Sequence, residues 1–245
     1  MHGRERKTYP ACPLTGQSVC AIIAGMQSEN NRLKGYAYMA KIAWKGSTLL
    51  APVPPVMVTC GSMEASNIIT VAWTGILKTH PPRVSVAIRP TRHSYGLIKE
   101  SGEFVINLTP ARLIRECDWC GVYTGAKVDK FAKTGLHKAP ATAVACPLIE
   151  ECPLSLECKV IDVIPQGTHD LFLADVVAVD VDDSLLDENG KLCLDRADLA
   201  AFAHGEYFSL GEKLGSFGFS VAKNKPRKGS TPSGKPPASK PRNRK

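Results

Sequence analysis

A period-two alternation of apolar and polar residues sets in after Pro52. Val56 to Thr59 is β-branched and apolar, Ile68 to Thr74 is rich in Ile, Thr, Val and Trp, and Val84, Val86 and Ile88 alternate with Ser85, Ala87 and Arg89. Successive residues of a strand face opposite sides, so each run predicts a short strand with one buried face. Three in succession predict an antiparallel sheet. Phe104 to Leu108 predicts another strand. Two longer ones are predicted over Leu154 to Ile164, with Leu156, Cys158, Val160 and Asp162 on one parity, and over Leu171 to Val181, with Phe172, Ala174, Val176, Ala178 and Asp180 on one face. Helical patterning is confined to Ser94 to Ser101, with Leu97 and Ile98 inward, and Pro110 to Cys117, with its proline near the first turn. Many strands and few short helices without a βαβ rhythm predict a mainly β barrel or sandwich with helical insertions.

Composition narrows this only slightly. With 44% hydrophobic and 22% charged residues in 245, the chain is an ordinary globular one, neither collagen-like, coiled-coil nor wholly disordered. The longest candidate for a membrane helix, Val19 to Met26, falls well short of the roughly 20 apolar residues required, so no membrane association is expected. Arg4, Arg6 and Lys7 imitate the start of a signal peptide, but Cys12, Pro13, Gly16 and Gln17 break the apolar run that such a peptide needs. Nine cysteines, an odd number, suggest reduced thiols and a cytoplasmic location.

The net charge of +8 is unevenly spread. Residues 222–245 hold nine basic and no acidic residues, residues 1–38 carry +3, and residues 39–221 carry −4. The division is therefore an N-terminal extension over 1–38, a mildly acidic folded domain over 39–221 and a basic tail over 222–245. The tail is built of Pro, Gly, Ser and Lys and cannot bury a core. It also lacks the aromatic side chains on which bases stack, so nucleic acid is not expected as a partner.

Candidate chemistry lies in two segments. Arg89-Pro90-Thr91-Arg92-His93-Ser94-Tyr95 leaves a strand and enters a helix, so two guanidinium groups and the N–H groups of a first helical turn, with Ser94 as a candidate cap, face one place. That is an anion cradle, although the arginines could equally pair with Glu100 or Glu103 on a surface loop. In Asn67 to Trp73, Asn67, Ile69, Val71 and Trp73 share one face and Ile68, Thr70 and Ala72 the other. Small and hydroxylic residues beside backbone groups suit a planar heteroaromatic ring; a plain core strand fits the same residues. A rival centre is Cys117-Asp118-Trp119-Cys120, whose spacing is that of redox or metal sites, though one such pair falls short of the four ligands of a structural zinc. Cys152 and Cys158, if on one extended segment, would stand roughly 20 Å apart and could not pair.

Pro54 to Thr59, Asn67 to Trp73, Arg89 to Tyr95 and Phe104 to Leu108 together resemble the flavin reductase-like family, nearest its flavoredoxin branch, in order and spacing. Thr124-Gly125 with Asp129-Lys130-Phe131, Glu151-Cys152-Pro153 with Leu156-Glu157-Cys158, and His169 to Phe172 extend the similarity. The resemblance implies an FMN-binding split β-barrel, antiparallel and of Greek-key type, working as a homodimer with flavin near the subunit interface. It places Asn67, Thr70, Ala72 and Trp73 along the ring system and ribityl chain, and Arg89, Arg92, His93 and Ser94 at the phosphate, with Thr59, Asn107 and Lys130 as further cofactor-binding candidates. Electrons would pass through FMN from NAD(P)H or a redox partner protein to an acceptor; a flavoredoxin-type carrier and a thiol protein using Cys117 and Cys120 are the alternatives. Gly167-Thr168-His169 resembles the Gly-Asp-His segment of nicotinamide-using members, with Thr168 in place of Asp, and makes His169 the candidate catalytic residue.

Overall fold

The computed structural model describes residues 41–222. The extension expected over 1–38 and, Ala222 apart, the tail expected over 222–245 lie outside the described residues. The chain divides into two units after Thr48. Of the first, residues 41–48 are described and are exposed without regular structure. The second holds all the strands and helices found among the described residues.

Strands β1 (Val56–Gly61) and β2 (Ser66–Val71) form a hairpin paired from Val56 with Val71 to Gly61 with Ser66. Gly61 turns the corner at φ +89°, which suits a residue without Cβ. Next come β3 (Thr74–Thr79), β4 (Pro82–Ile88), helix α1 (His93–Ser101) and β5 (Glu103–Leu108). Helices α2 (Ile114–Val122) and α3 (Lys130–Thr134) and the small pair β6 (Lys138–Ala139) and β7 (Leu148–Ile149) precede the long strands β8 (Leu154–Pro165) and β9 (Asp170–Val181). A second small pair, β10 (Ala200–Ala203) and β11 (Glu206–Ser209), comes last.

The main sheet has seven strands in the order β2-β1-β5-β8-β9-β4-β3, antiparallel throughout. Ile69 and Val71 of β2 share one buried cluster with Val84, Val86 and Ile88 of β4, so opposite ends of the strand order close around a common core. That is a barrel built from one curled sheet, as expected. The cluster is completed by Val56, Val58, Ile106, Phe104 and Phe172, with Ile98 of α1 buried against it. The opposite face of β1 and β2 presents Met57 and Ile68 to a second cluster, where Cys117 and Cys120 of α2 and Phe131 of α3 cover them.

Three local expectations need correcting. Strand β3 is a separate strand that the apolar pattern does not announce, because five of its six residues are exposed and it shows no apolar alternation. The helix expected over Pro110 to Cys117 is a 3₁₀ turn over Ala111–Leu113 followed by α2, which continues through Gly121 to Val122. In β8 the register shifts between Glu157 and Cys158 and again between Val160 and Asp162, so Glu157 and Cys158 are both buried and the single parity expected of the strand breaks.

Candidate functional site

The sheet order fixes where a ligand can reach main chain. Strand β2 pairs with β1 on one edge and is the last strand on the other, so its outer edge has no strand partner among the described residues. A cavity of about 350 Å³ runs beside it, lined by the five consecutive residues Ile69 to Trp73 together with Ile88, Arg89, Arg92 and His169. Alternating side chains of one strand cannot all face one space, so the main chain itself forms much of this wall. Ile69 and Val71 point into the barrel core, whereas the Thr70 hydroxyl donates to the carbonyl of Cys117 on α2.

Beyond Arg92 and Ile69, which line both spaces, lies a narrower pocket. Its walls are Asn67 and Cys120, the start of α1 with His93 and Ser94, the segment Tyr123-Thr124-Gly125 that leaves α2, and Lys130 at the start of α3. Ser94 does not cap α1: the N-cap is Arg92, without a side-chain cap bond. The Ser94 hydroxyl lies one residue into the helix, is buried, and accepts from Asn67 Nδ2 at 2.7 Å, which ties β2 to the helix. The Lys130 ammonium is buried and donates to the carbonyls of Ile68 and Cys120, both at 2.6 Å. Burial lowers its pKa, and the nearby Arg92 adds to that effect. Arg92 and Lys130 thus bring two cations to a pocket with no carboxylate on its wall among the described residues. The pocket itself is closed to about 10 Å³, so a phosphate-sized anion needs some of its exposed members, Arg92, His93, Tyr123 and Thr124, to move aside.

His169 enters the large cavity from the start of β9. Its ring stands 4.6 Å from that of Trp73, tilted by 48°. Nε2 accepts from Arg89 Nε at 3.3 Å, and Nδ1 is 3.0 Å from Thr168 Oγ1. Partial burial, then the charges of Arg89 and Arg92, lower its pKa.

Of the residues singled out from sequence, Asn67, Thr70, Ala72, Trp73, Arg89, Arg92, His93, Ser94, Lys130 and His169 line one pocket or the other. Arg89 stands beside the larger cavity with His169 and does not line the narrow pocket, so the two arginines divide their places. Thr59 and Asn107 line neither. The Thr59 hydroxyl donates to the Pro147 carbonyl. Asn107 donates to the Met57 carbonyl and Thr59 Oγ1 and accepts from Ile149 N and Ser155 Oγ, so its carboxamide is fully used within the core. Sequence reasoning does not assign the apolar walls Ile69, Val71 and Ile88, nor Tyr123, Thr124 and Gly125. Gly125 is the instructive omission: a Cβ there would lie 2.5 Å from Asn67 Cγ, so only glycine lets the segment pass this close to the carboxamide.

Residues 49–211 match the family model described as the flavin reductase like domain. The chain belongs to this family. Flavoredoxin of Desulfovibrio vulgaris is 31% identical with a TM-score of 0.70, the similarity covering 75% of this chain and all of that one. An FMN-binding protein from Thermus thermophilus, solved with 1-cyclohex-2-enone, is 26% identical at a TM-score of 0.61 over 74% and 99% of the two chains. An NADPH-flavin oxidoreductase of Streptomyces viridifaciens is 26% identical over 137 residues, 54% of this chain and 69% of its own. The split barrel of the family is the curled seven-stranded sheet described above.

Cys120 touches the narrow pocket, but neither thiol has the character expected of a redox pair. Cys117 and Cys120 lie on the buried face of α2. Burial raises both thiol pKa values, that of Cys120 to about 12, the reverse of the depression that makes a cysteine nucleophilic or metal-binding. Their place is that of small apolar residues in the second cluster.

Proposed function

We propose that this protein is an FMN-dependent oxidoreductase of the flavin reductase type, passing electrons through bound FMN to an acceptor. The observation that carries the reading is the adjacency of two unlike pockets that share Ile69 and Arg92 as wall residues. One is larger and bordered by the edge strand; the other is narrow, cationic and free of carboxylates among the described residues. A fused heteroaromatic ring with a short chain ending in phosphate has this division of chemistry. Asn67, Arg92, Ser94 and Lys130 would hold the phosphate end, with His93 beside them. Thr70, Ala72, Trp73, Arg89 and His169 would border the ring. When bound, FMN supplies the acceptance of hydride and its release as electrons. The protein's own part is to bind, to present N–H groups at the ring edge where charge develops, and to limit water on one side.

The electrons come from NAD(P)H or from a redox partner protein, and the likeness to both an NADPH-flavin oxidoreductase and a flavoredoxin supports either source. We further propose that two copies associate as a homodimer. Ile161 and Ile164 on β8 and Val177 and Val179 on β9 are exposed apolar side chains on the longest strands, a surface that a second copy would cover. The visible absorbance of the purified protein, with chromatography of what heat releases, tests the cofactor. Bound or readily taken up FMN is expected, and a colourless protein that takes up none would overturn the reading. Anaerobic stopped flow with NADH and NADPH decides the donor: rapid bleaching of the flavin identifies a reductase, and its absence a carrier that needs a protein donor. Sedimentation equilibrium checks the dimer, and a monomer at micromolar concentration refutes it.

A further inference from the structure

Both ring nitrogens of His169 have a partner, and one partner fixes which nitrogen bears the proton. Guanidinium groups only donate, so Nε2, at 3.3 Å from Arg89 Nε, supplies a lone pair. The proton of a neutral ring then sits on Nδ1 and points to Thr168 Oγ1 at 3.0 Å, where the hydroxyl accepts. Charging the ring would turn an N–H against an arginine. The charged groups facing it are Arg89 after β4 and Arg92 at the start of α1, and the third packing partner, Trp73 after β2, is neutral. On its own strand Asp170 is engaged elsewhere, accepting from the Tyr95 hydroxyl at 2.7 Å. No carboxylate among the described residues favours the imidazolium.

We propose that His169 is a positioning residue, held by Arg89 and Thr168 as the neutral Nδ1–H tautomer, whose Nε2 lone pair holds the Arg89 guanidinium at the wall of the large cavity. It exchanges no proton with the ligand there. This reverses the catalytic role anticipated for His169 from sequence. Burial and the two arginines, which hold the ring's pKa below the ordinary histidine value, act in the same direction. The Trp73 contact keeps the ring from rotating out of this arrangement. The proposed flavin site is the setting of this inference, but the tautomer belongs to the protein alone.

The test therefore begins without flavin, on the full chain labelled with ¹⁵N-histidine. At neutral pH the His169 resonances are expected to show a protonated Nδ1 and an unprotonated Nε2; an imidazolium or an Nε2–H tautomer overturns the proposal. In Thr168→Asp a carboxylate replaces the hydroxyl on Nδ1, and the ring is expected to charge at a higher pH than in the wild type. An unchanged titration would show that Thr168 is not its partner and would also overturn it. Two further variants separate holding from proton transfer. Gln at this position offers an amide oxygen to Arg89 but cannot titrate, whereas Phe offers nothing. His169→Gln is expected to retain more of the FMN affinity than His169→Phe, which loses roughly tenfold, the effect of one charge-assisted hydrogen bond, and neither is expected to lose a limb of the pH profile of flavin reduction. Equal loss in both variants, with the same limb missing from both pH profiles, would mean that the ring moves a proton. If the flavin reading itself fails, no FMN is taken up by any variant while the tautomer assignment stands, so the two failures are distinguishable.

Discussion

Gly125→Ala tests whether the narrow pocket depends on the close passage of two segments. The glycine does not have a left-handed φ, so no backbone strain enters and the effect is one of space. A Cβ built there clashes with Asn67 Oδ1 and lies 2.5 Å from Cγ and 2.8 Å from Nδ2, whereas ordinary contact begins at 3.4 Å. The carboxamide must therefore retreat by at least about 0.9 Å, the difference between the Cγ distance and that contact, and by more at the closer Oδ1. Asn67 is only 4% exposed and its Nδ2 is bonded to Ser94 Oγ at 2.7 Å, so it has little free space to retreat into. A shift of that size carries the bond toward about 3.6 Å, where it no longer counts as one, or forces another rotamer. A buried donor left without its acceptor costs about 1 to 3 kcal/mol, equivalent to roughly five- to 150-fold in FMN affinity if the loss falls on the bound state. Flavin fluorescence quenching measures the affinity, and circular dichroism melting shows how much of the loss falls on the fold instead. The double-mutant cycle with Asn67→Ala is decisive, because removing the carboxamide should make Gly125→Ala nearly harmless. Wild-type affinity and melting temperature in Gly125→Ala alone, or full additivity in the cycle, would refute the argument.

Three other perturbations probe the same structure. Arg92→Gln, which removes the cation shared by both pockets, should weaken FMN by about tenfold or more in the same fluorescence titration, with a smaller loss at high salt. Lys130→Met leaves the Ile68 and Cys120 carbonyls without their donor, and both thermal stability and FMN affinity should fall, the former by on the order of 2 kcal/mol in denaturant melts. Glu157 is fully buried and accepts from the N–H groups of Thr142, Ala143 and Val144 and from the Thr142 hydroxyl, so Glu157→Gln should lose on the order of 3 kcal/mol of stability. Its neighbour Asp180 should behave oppositely with pH. These hydrogen bonds lower the Glu157 pKa against the effect of burial, while burial and the Glu157 charge raise that of Asp180. The Glu157 contribution is present above its unfolded pKa and lost as pH falls through the folded one; the Asp180 contribution is present below its unfolded pKa and lost as pH rises through its elevated folded value. Asp180→Asn, which cannot ionise beside Glu157, should thus gain on the wild type in melting temperature as pH rises, and parallel curves would refute the unfavourable meeting of the two carboxylates.

The barrel is legible in the sequence where one face of a strand is buried and the other is not. β4 shows this best: Val84, Val86 and Ile88 are buried while their neighbours are partly or fully exposed. The signal fails where its cause is missing. β3 has an almost wholly exposed surface, so period two has no apolar partner to alternate with. In β8 a register shift puts Glu157 and Cys158 on buried positions in succession, and a rule that assumes strict alternation assigns the wrong face beyond it.

At the site, residue type reveals the chemistry but not who receives it. Asn67 and Asn107 are both buried asparagines on strands of the same sheet, and the same resemblance points both at the cofactor. Asn107 spends its carboxamide on β1, β7 and β8, binding one layer of the barrel together, whereas Asn67 has a bond to Ser94 and a wall on the narrow pocket. What distinguishes them is the strand order. β5 lies between β1 and β8, so a polar side chain there meets only protein, while β2 has an edge without a strand partner among the described residues, next to which α1 and the segment over 123–125 leave room. The same logic separates Arg89 from Arg92: three residues apart in one loop, both border the large cavity, but only Arg92, just before α1 begins, also reaches the narrow pocket. Edge position and helix start are properties of the assembled sheet, which is why the functional half of each pair emerges only once the strands are placed.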